Sequence, residues 1–217
     1  MTTAWMLAAL LALFLWFGWT GGGANAFDVY AIERLASWRH AHPLATAVAI
    51  SLTSLGTAMI TITVPVLIGL LLWVRRQRHR AAMLVGTVLS ERAVADSIKF
   101  VYNRARPAFD LHPVMTNSSS YPSGHAANST TAFVALALFA APVAWRWRAV
   151  TLAVIGGVLI GLTRPYLGVH WPSDVMGGWT LAAIFLLSAR AIDQRRSVPH
   201  EPQHDVVRGH LPTLGED

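Results

Sequence analysis

The chain contains no cysteine in its 217 residues. A disulfide and a thiolate-bound metal are therefore excluded, and thiol usage says nothing about the compartment. Charge is scarce as well. Asp, Glu, Lys and Arg make up 13% of the sequence, against roughly 25% in an ordinary soluble domain. So few charges do not clothe a water-facing surface of this size. Lysine is almost missing: of 17 basic side chains only Lys99 is a lysine. The 11 acidic residues form no cluster of the kind that holds Mg²⁺ near the motifs described below, so neither metal nor cofactor is expected.

What fills the space is apolar. Hydrophobic residues account for 54% of the chain and the mean hydropathy is +0.45. Several runs reach the ~20 residues that a helix needs to cross a hydrocarbon core. The expected architecture is an all-α, six-span membrane bundle over residues 1–192, with spans at 4–20, 44–74, 81–102, 123–143, 149–162 and 173–189. Residues 193–217 read as a polar, flexible tail rich in Pro, His and mixed charge. Residues 27–42 mix Asp28, Glu33, Arg34 and Arg39 with Tyr30, Leu35 and Trp38, which suits an additional helix lying in the interface. The first run has a rival reading as a signal peptide, because Ala24-Asn25-Ala26 resembles a cleavage site. Its lack of Lys or Arg and its length favour a retained span. The 44–74 run exceeds one span and is expected to tilt, with Pro65 as a kink.

Arginine placement sets the orientation. Arg75, Arg76, Arg78, Arg80, Arg146, Arg148, Arg190, Arg195 and Arg196 share one side, which the positive-inside rule makes cytoplasmic. Both termini then lie in the cytoplasm of a plasma-membrane protein, and the net charge of +6 belongs to membrane-flanking loops, not to a nucleic-acid surface. The third span carries Glu91, Arg92, Asp96 and Lys99, costly in a membrane and expected to face the bundle interior. Arg92–Asp96 and Asp96–Lys99 have the spacing of pairs on one helical face.

Three stretches on the opposite, periplasmic or extracellular side carry chemistry. Lys99 and Arg106 stand two helical turns apart, and Pro107 stops the helix. An ammonium and a forked guanidinium suit the oxygens of one phosphate, although snorkelling at the interface would account for either cation alone. Tyr121-Pro122-Ser123-Gly124-His125 opens the fourth span. Ser123 is a good N-cap, Gly124 lets the backbone approach a ligand, and free amides at a helix start favour an anion. His125 then sits in the first turn; an ordinary capped helix is the plain alternative. Finally Arg164 closes the fifth span while His170 and Asp174 bracket the start of the sixth. At this spacing Asp174 can accept from His170 Nδ1–H, fix the tautomer and leave Nε2 as nucleophile or base, or it can simply cap the helix. Asp96, Asn103, Arg104, Asp110, His112, Asn117 and Asn128 are polar neighbours, and 108–121 reads as a rim over the pocket.

In order and spacing, Lys99-x6-Arg106-Pro107, Pro122-Ser123-Gly124-His125 and Arg164-x5-His170-x3-Asp174 resemble the signature of the type-2 phosphatidic acid phosphatase superfamily of integral-membrane enzymes. Thr163 stands where that family often has Ser. The resemblance implies a metal-independent lipid phosphatase in which His170 attacks phosphorus, Asp174 supports the ring, and His125 protonates the leaving oxygen and then activates water. Lys99, Arg106, Arg164, Ser123 and Gly124 are the implied phosphate-binding residues. The implied substrate is a lipid phosphate or diphosphate: an undecaprenyl-type diphosphate is favoured by the outward site, with phosphatidylglycerol phosphate and phosphatidate as others. A phosphotransferase would use the same residues. A non-catalytic channel or transporter would explain the intramembrane charges but not the His170–Asp174 pair facing a second histidine, and six spans argue against the soluble haloperoxidases that share the constellation.

Overall fold

A computed structural model describes residues 2–20, 25–108 and 118–197, and no strand occurs among them. Eight α-helices follow one another: α1 (Thr2–Thr20), α2 (Ala26–Ala41), α3 (Pro43–Ser54), α4 (Ala58–Val74), α5 (Arg78–Tyr102), α6 (Gly124–Phe139), α7 (Arg146–Tyr166) and α8 (Pro172–Ser197). A 3₁₀ turn at Val143–Trp145 leads into α7.

Helix α6 is the axis of the bundle. Its sequence is dominated by Ala, Ser and Thr, and Ala126, Ala127, Ala132 and Ala135 are wholly buried. In lipid the attraction between helices comes from close packing and not from water exclusion, so small side chains on every face let neighbours approach. Helices α4, α5, α7 and α8 pack on α6, α1 lies along α8, and α2 and α3 lie against α7. Leu84, Val88, Leu138, Phe139 and Leu186 form the core at one end, and Phe14, Ala95, Tyr121, Ala127 and Leu181 form it at the other. Tyr121 pins α1 there by donating its hydroxyl to the Phe14 carbonyl at 2.5 Å.

By length and composition, three helical stretches among the described residues suffice to cross a membrane: Pro43–Val74, Val143–Tyr166 and Pro172–Arg196. Thr3–Trp19 is a shorter apolar helix. Helix α5 has the length but carries Glu91, Arg92, Asp96 and Lys99, and α6 has only 16 residues. Glu91 is fully buried, as expected of a charge facing the bundle, whereas the Asp96 side chain is 46% exposed.

Three features differ from the sequence reading. The 44–74 run is not one tilted helix kinked at Pro65; it breaks at residues 55–57 into α3 and α4, and Pro65 stays inside α4. Ser54 Oγ donates to the Ser51 carbonyl and Thr57 Oγ1 to the Ser54 carbonyl, offering the backbone alternatives to the helix ladder. Gly56 fills the gap, where a Cβ would come within 2.8 Å of both His125 Cδ2 and Ile160 Cγ2. Helix α2 exists as expected, but its charged Asp28 and Arg39 point into the protein and not toward the interface. Helix α8 continues to Ser197, past the expected span 173–189, with Asp193 in contact with His79 at 3.0 Å and Arg190 at 3.6 Å. Ala24, Asp110, His112, Asn117 and the tail histidines His200, His204 and His210 lie outside the described residues.

Candidate active site

The helices alternate in direction, and this collects the three stretches at one end. Helix α5 ends with Lys99 and the turn to Arg106, α6 begins with Ser123–His125, α7 ends with Arg164, and His170 and Asp174 flank the start of α8. The arginine-rich ends meet at the other pole, where His79 reaches Asp193 and Arg190 stacks over the Trp147 ring. A cavity of about 180 Å³ opens at the motif end, lined by Lys99, Arg106, Gly124, His125, Arg164 and His170 together with Gly56, Ala58, Arg92, Ser118 and Asn128.

His170 is 3% exposed, and its two ring nitrogens face different surroundings. Nδ1 lies 3.4 Å from Asp174 Oδ2 and 3.4 Å from Ser120 Oγ. Nε2 lies 3.1 Å from Arg106 Nη1. A guanidinium can only donate, so Nε2 carries the lone pair and the proton sits on Nδ1, toward the carboxylate. Burial, with the Arg106 charge adding to it and Asp174 opposing it, holds the His170 pKa down to about 3 from 6.5. The ring is therefore a neutral base or nucleophile at physiological pH. Arg106 also donates to the Val169 carbonyl at 2.6 Å and the Ser118 carbonyl at 2.8 Å, and burial lowers its pKa.

Asp174 is saturated with donors. Oδ1 accepts from Arg104 Nη1 at 2.5 Å, while Oδ2 accepts from the Trp171 amide at 2.8 Å and from the Ser120 hydroxyl. Arg104 is shared: its Nη2 donates to Asp28 Oδ2 at 2.8 Å, and its Nη1 also reaches Ser173 Oγ at 2.8 Å. Asp28 in turn accepts from Ser173 N at 3.0 Å and Ser173 Oγ at 2.5 Å. A carboxylate–guanidinium–carboxylate chain, wholly buried, thus ties α2 to the start of α8.

The cations are held from different elements. Lys99 Nζ pairs with Asp96 at 3.3 Å and presses against Gly124, where a Cβ would stand 3.1 Å from that nitrogen. Arg164 is 1% exposed and donates to Thr53 Oγ1 of α3 at 2.8 Å, while its Nε has no hydrogen-bond partner among the described residues. His125 lines the same cavity as His170 and is backed by Gly56. Ser123 occupies the N-cap position of α6 as expected, but its hydroxyl makes no capping bond and is buried without a partner. Its amide donates to the Asp174 carbonyl at 3.0 Å and so fastens α6 to α8. Of the eight expected site residues, six line the cavity, Asp174 stands behind His170, and Ser123 is buried outside the lining. Among the described residues no group of three or more His, Cys, Asp or Glu is placed to hold a metal ion.

Asp28, Ser120 and Thr53 support this site with no local signal in the sequence, and Arg104, expected only as a polar neighbour, is the shared cation behind it. Arg104 stood two residues before Arg106 in the Arg-x-Arg-Pro stretch, the one local hint. Asp28 and Thr53 reach their partners across 76 and 111 residues, separations at which no periodicity speaks.

The sequence profile of the PAP2 superfamily matches residues 80–197. The undecaprenyl-diphosphatase of Sulfolobus acidocaldarius is 36% identical over 121 residues, which are 53% of this chain and 56% of that protein. The phosphatidylglycerophosphatase B of Bacillus subtilis is 27% identical over 159 residues, covering 70% of this chain and 77% of the relative. The chain thus spans little more than half the length of the archaeal relative. In fold, the crystal structure of a transmembrane PAP2-type phosphatidylglycerolphosphate phosphatase from Bacillus subtilis superposes with a TM-score of 0.79 at 24% identity, covering 88% of this chain and 97% of that one.

Proposed function

The chain belongs to the PAP2 superfamily, and on that premise we propose that it is a membrane phosphatase that hydrolyses a lipid-borne phosphate or diphosphate through a phosphohistidine. The observation that carries the reading is the asymmetry of His170: Nδ1 backed by Asp174, Nε2 turned into a cavity shared with His125 and clustered cations.

In the proposed reaction, His170 Nε2 attacks phosphorus, and the bond from phosphorus to the lipid oxygen breaks. His125 delivers a proton to that oxygen. Asp174, already supplied with donors, balances the charge that appears on the phosphorylated ring. His125, now neutral, takes a proton from water; the water oxygen bonds to phosphorus as the N–P bond breaks, releasing phosphate and the neutral ring. Lys99, Arg106 and Arg164, with the Gly124 amide, neutralise the non-bridging oxygens. Phosphoryl transfer needs mainly positioning and electrostatic stabilisation, which such a set supplies without a metal.

The favoured substrate is an undecaprenyl-type diphosphate, supported by the name of the archaeal relative; phosphatidylglycerol phosphate and phosphatidate are the other members of the class. The proposed topology has six spans, from α1, the α3–α4 pair, α5, α6, α7 and α8, in one domain over 1–192 followed by a tail over 193–217. Both termini are cytoplasmic, and the site faces the outer side of the plasma membrane. The arginine-rich pole supports this orientation.

The test is phosphate release by the purified protein in detergent with EDTA, over a panel of lipid phosphates and diphosphates. Turnover should persist in the chelator and stop with vanadate or with His170→Ala. Given a substrate with a good leaving group, His125→Ala should accumulate an acid-labile phosphoenzyme, whereas His170→Ala should never label. Labelling of the His170 variant and not of the His125 variant reverses the two roles, and a strict need for Mg²⁺ defeats the mechanism.

A further inference from the structure

The cavity runs deeper than the residues assigned to the transferred phosphoryl group. Arg92 lines it too, seven residues before Lys99 on α5, which is two turns and about 10 Å further into the bundle. Asn128 lies one turn into α6 from Gly124 and faces the same space. Lys99, Arg106 and His170 stand toward the outer end, so the cavity has an outer part holding the nucleophile and an inner part with a further cation.

The inner part is built for an anion. Among the described residues no carboxylate lines the cavity. The ion pair that Arg92 makes is with Asp96 at 3.5 Å, a side chain 46% exposed and divided between Arg92 and Lys99. Asn128 offers its Nδ2 donor there, close to the Gly124 wall against which Lys99 Nζ also rests. A cation two turns below a membrane surface is expensive and calls for a function.

We infer that Arg92, with the Asn128 amide, is a second phosphate subsite that receives the lipid-bonded phosphate of a diphosphate substrate and makes the chain prefer lipid diphosphates to monophosphates. The inference rests on the phosphatase reading of the pocket. The lipid tail must run toward the bilayer, so the phosphate bonded to the lipid lies on the inner side of the terminal one, where Arg92 stands. As His170 Nε2 bonds to the terminal phosphorus, the bond from that phosphorus to the bridging oxygen breaks, and the electron pair departs with the lipid monophosphate. The new negative charge grows beside Arg92, which therefore acts on the transition state more than on the ground state. A monophosphate substrate leaves as an alcohol after receiving a proton and places no anion there.

Farnesyl diphosphate and farnesyl monophosphate share one tail and differ only in the second phosphate, which makes their kcat/KM ratio in detergent the readout. Arg92→Gln should lower the diphosphate-to-monophosphate ratio about 10- to 100-fold, the loss of one charge-assisted hydrogen bond. Arg92→Lys, which keeps the charge, should restore most of it. An unchanged ratio in Arg92→Gln, or equal losses on both substrates, overturns the subsite while leaving the phosphatase reading in place. Failure of the unaltered protein to hydrolyse either compound overturns that reading itself.

Discussion

Replacing Asp28 by Asn tests whether the N-terminal third of the chain supports the site from a distance. Asp28 accepts from Arg104 Nη2 at 2.8 Å, Ser173 Oγ at 2.5 Å, Ser173 N at 3.0 Å and Asn25 Nδ2 at 3.1 Å. Asparagine keeps an acceptor for the Ser173 amide but sets an amide N–H against donors and deletes the charge. A hydrogen bond to a charged group contributes ~1.5–3 kcal/mol, so a loss of about 3 kcal/mol is expected. Arg104→Met should cost more, about 3–5 kcal/mol, because two buried carboxylates lose their shared cation. Against a total stability of ~5–15 kcal/mol that is a large fraction. Asp96→Asn is the contrasting case: its pairs are half exposed and worth ~0–1 kcal/mol. The electrostatic consequence is separate. Without Asp28, the Arg104 charge is balanced by Asp174 alone, which weakens the field of Asp174 at His170 Nδ1. Phosphoenzyme formation in a single turnover should slow by ~10–100-fold, short of the ~10⁴-fold seen when the orienting carboxylate of a serine-protease triad is itself neutralised. Denaturant unfolding in micelles and rapid quench read the two effects. An Asp28→Asn protein that matches the wild type in both, or an Asp96→Asn protein equally destabilised, refutes the reasoning.

The depressed pKa of His170 has a stability sign: below pH 6.5 the unfolded chain takes up a proton that the folded site refuses until about pH 3, so unfolding should become easier across that window. In the same window the proposed nucleophile stays neutral, and phosphoenzyme formation should show no inflection near pH 6.5; one there would place the ring in a wetter setting. Gly56→Ala introduces a Cβ 2.8 Å from His125 Cδ2 and Ile160 Cγ2, so it should displace His125 and cut turnover at least tenfold, and unchanged turnover would show that the α3–α4 break is tolerant. Reporter fusions at Arg78 and Asn117 should locate to opposite sides of the membrane, and a shared location would defeat the proposed topology.

Much of the site was legible because its chemistry is local. His170 and Asp174 lie one helical turn apart, Ser123 to His125 are contiguous, and Arg92, Asp96 and Lys99 pair at the helical spacing read from the sequence, at 3.5 and 3.3 Å. The burial of Asp28 and Arg39 was not legible, since a mixed-charge helix looks the same whether it lies in an interface or presses ionic groups onto a neighbour. The break at Gly56 was missed for a similar reason. Pro65 is the stronger breaker by propensity, yet tertiary contact with His125 and Ile160 decides where the helix yields. Helix α8 outlasts its apolar stretch because Asp193 finds His79 and Arg190, partners that no count of hydropathy includes.

The tether from Arg104 to Asp28 and the one from Arg164 to Thr53 bear on modularity. Residues 80–197 match the superfamily profile and hold both histidines, Asp174 and the motif cations. Excised or grafted, that segment would carry two buried guanidiniums whose anchors remain on α2 and α3. In chain order Asp28 and Thr53 precede both guanidiniums, and Ser173 and Asp174 at the start of α8 complete the ionic chain. The unit that can be transplanted between proteins is therefore larger than the unit that similarity outlines.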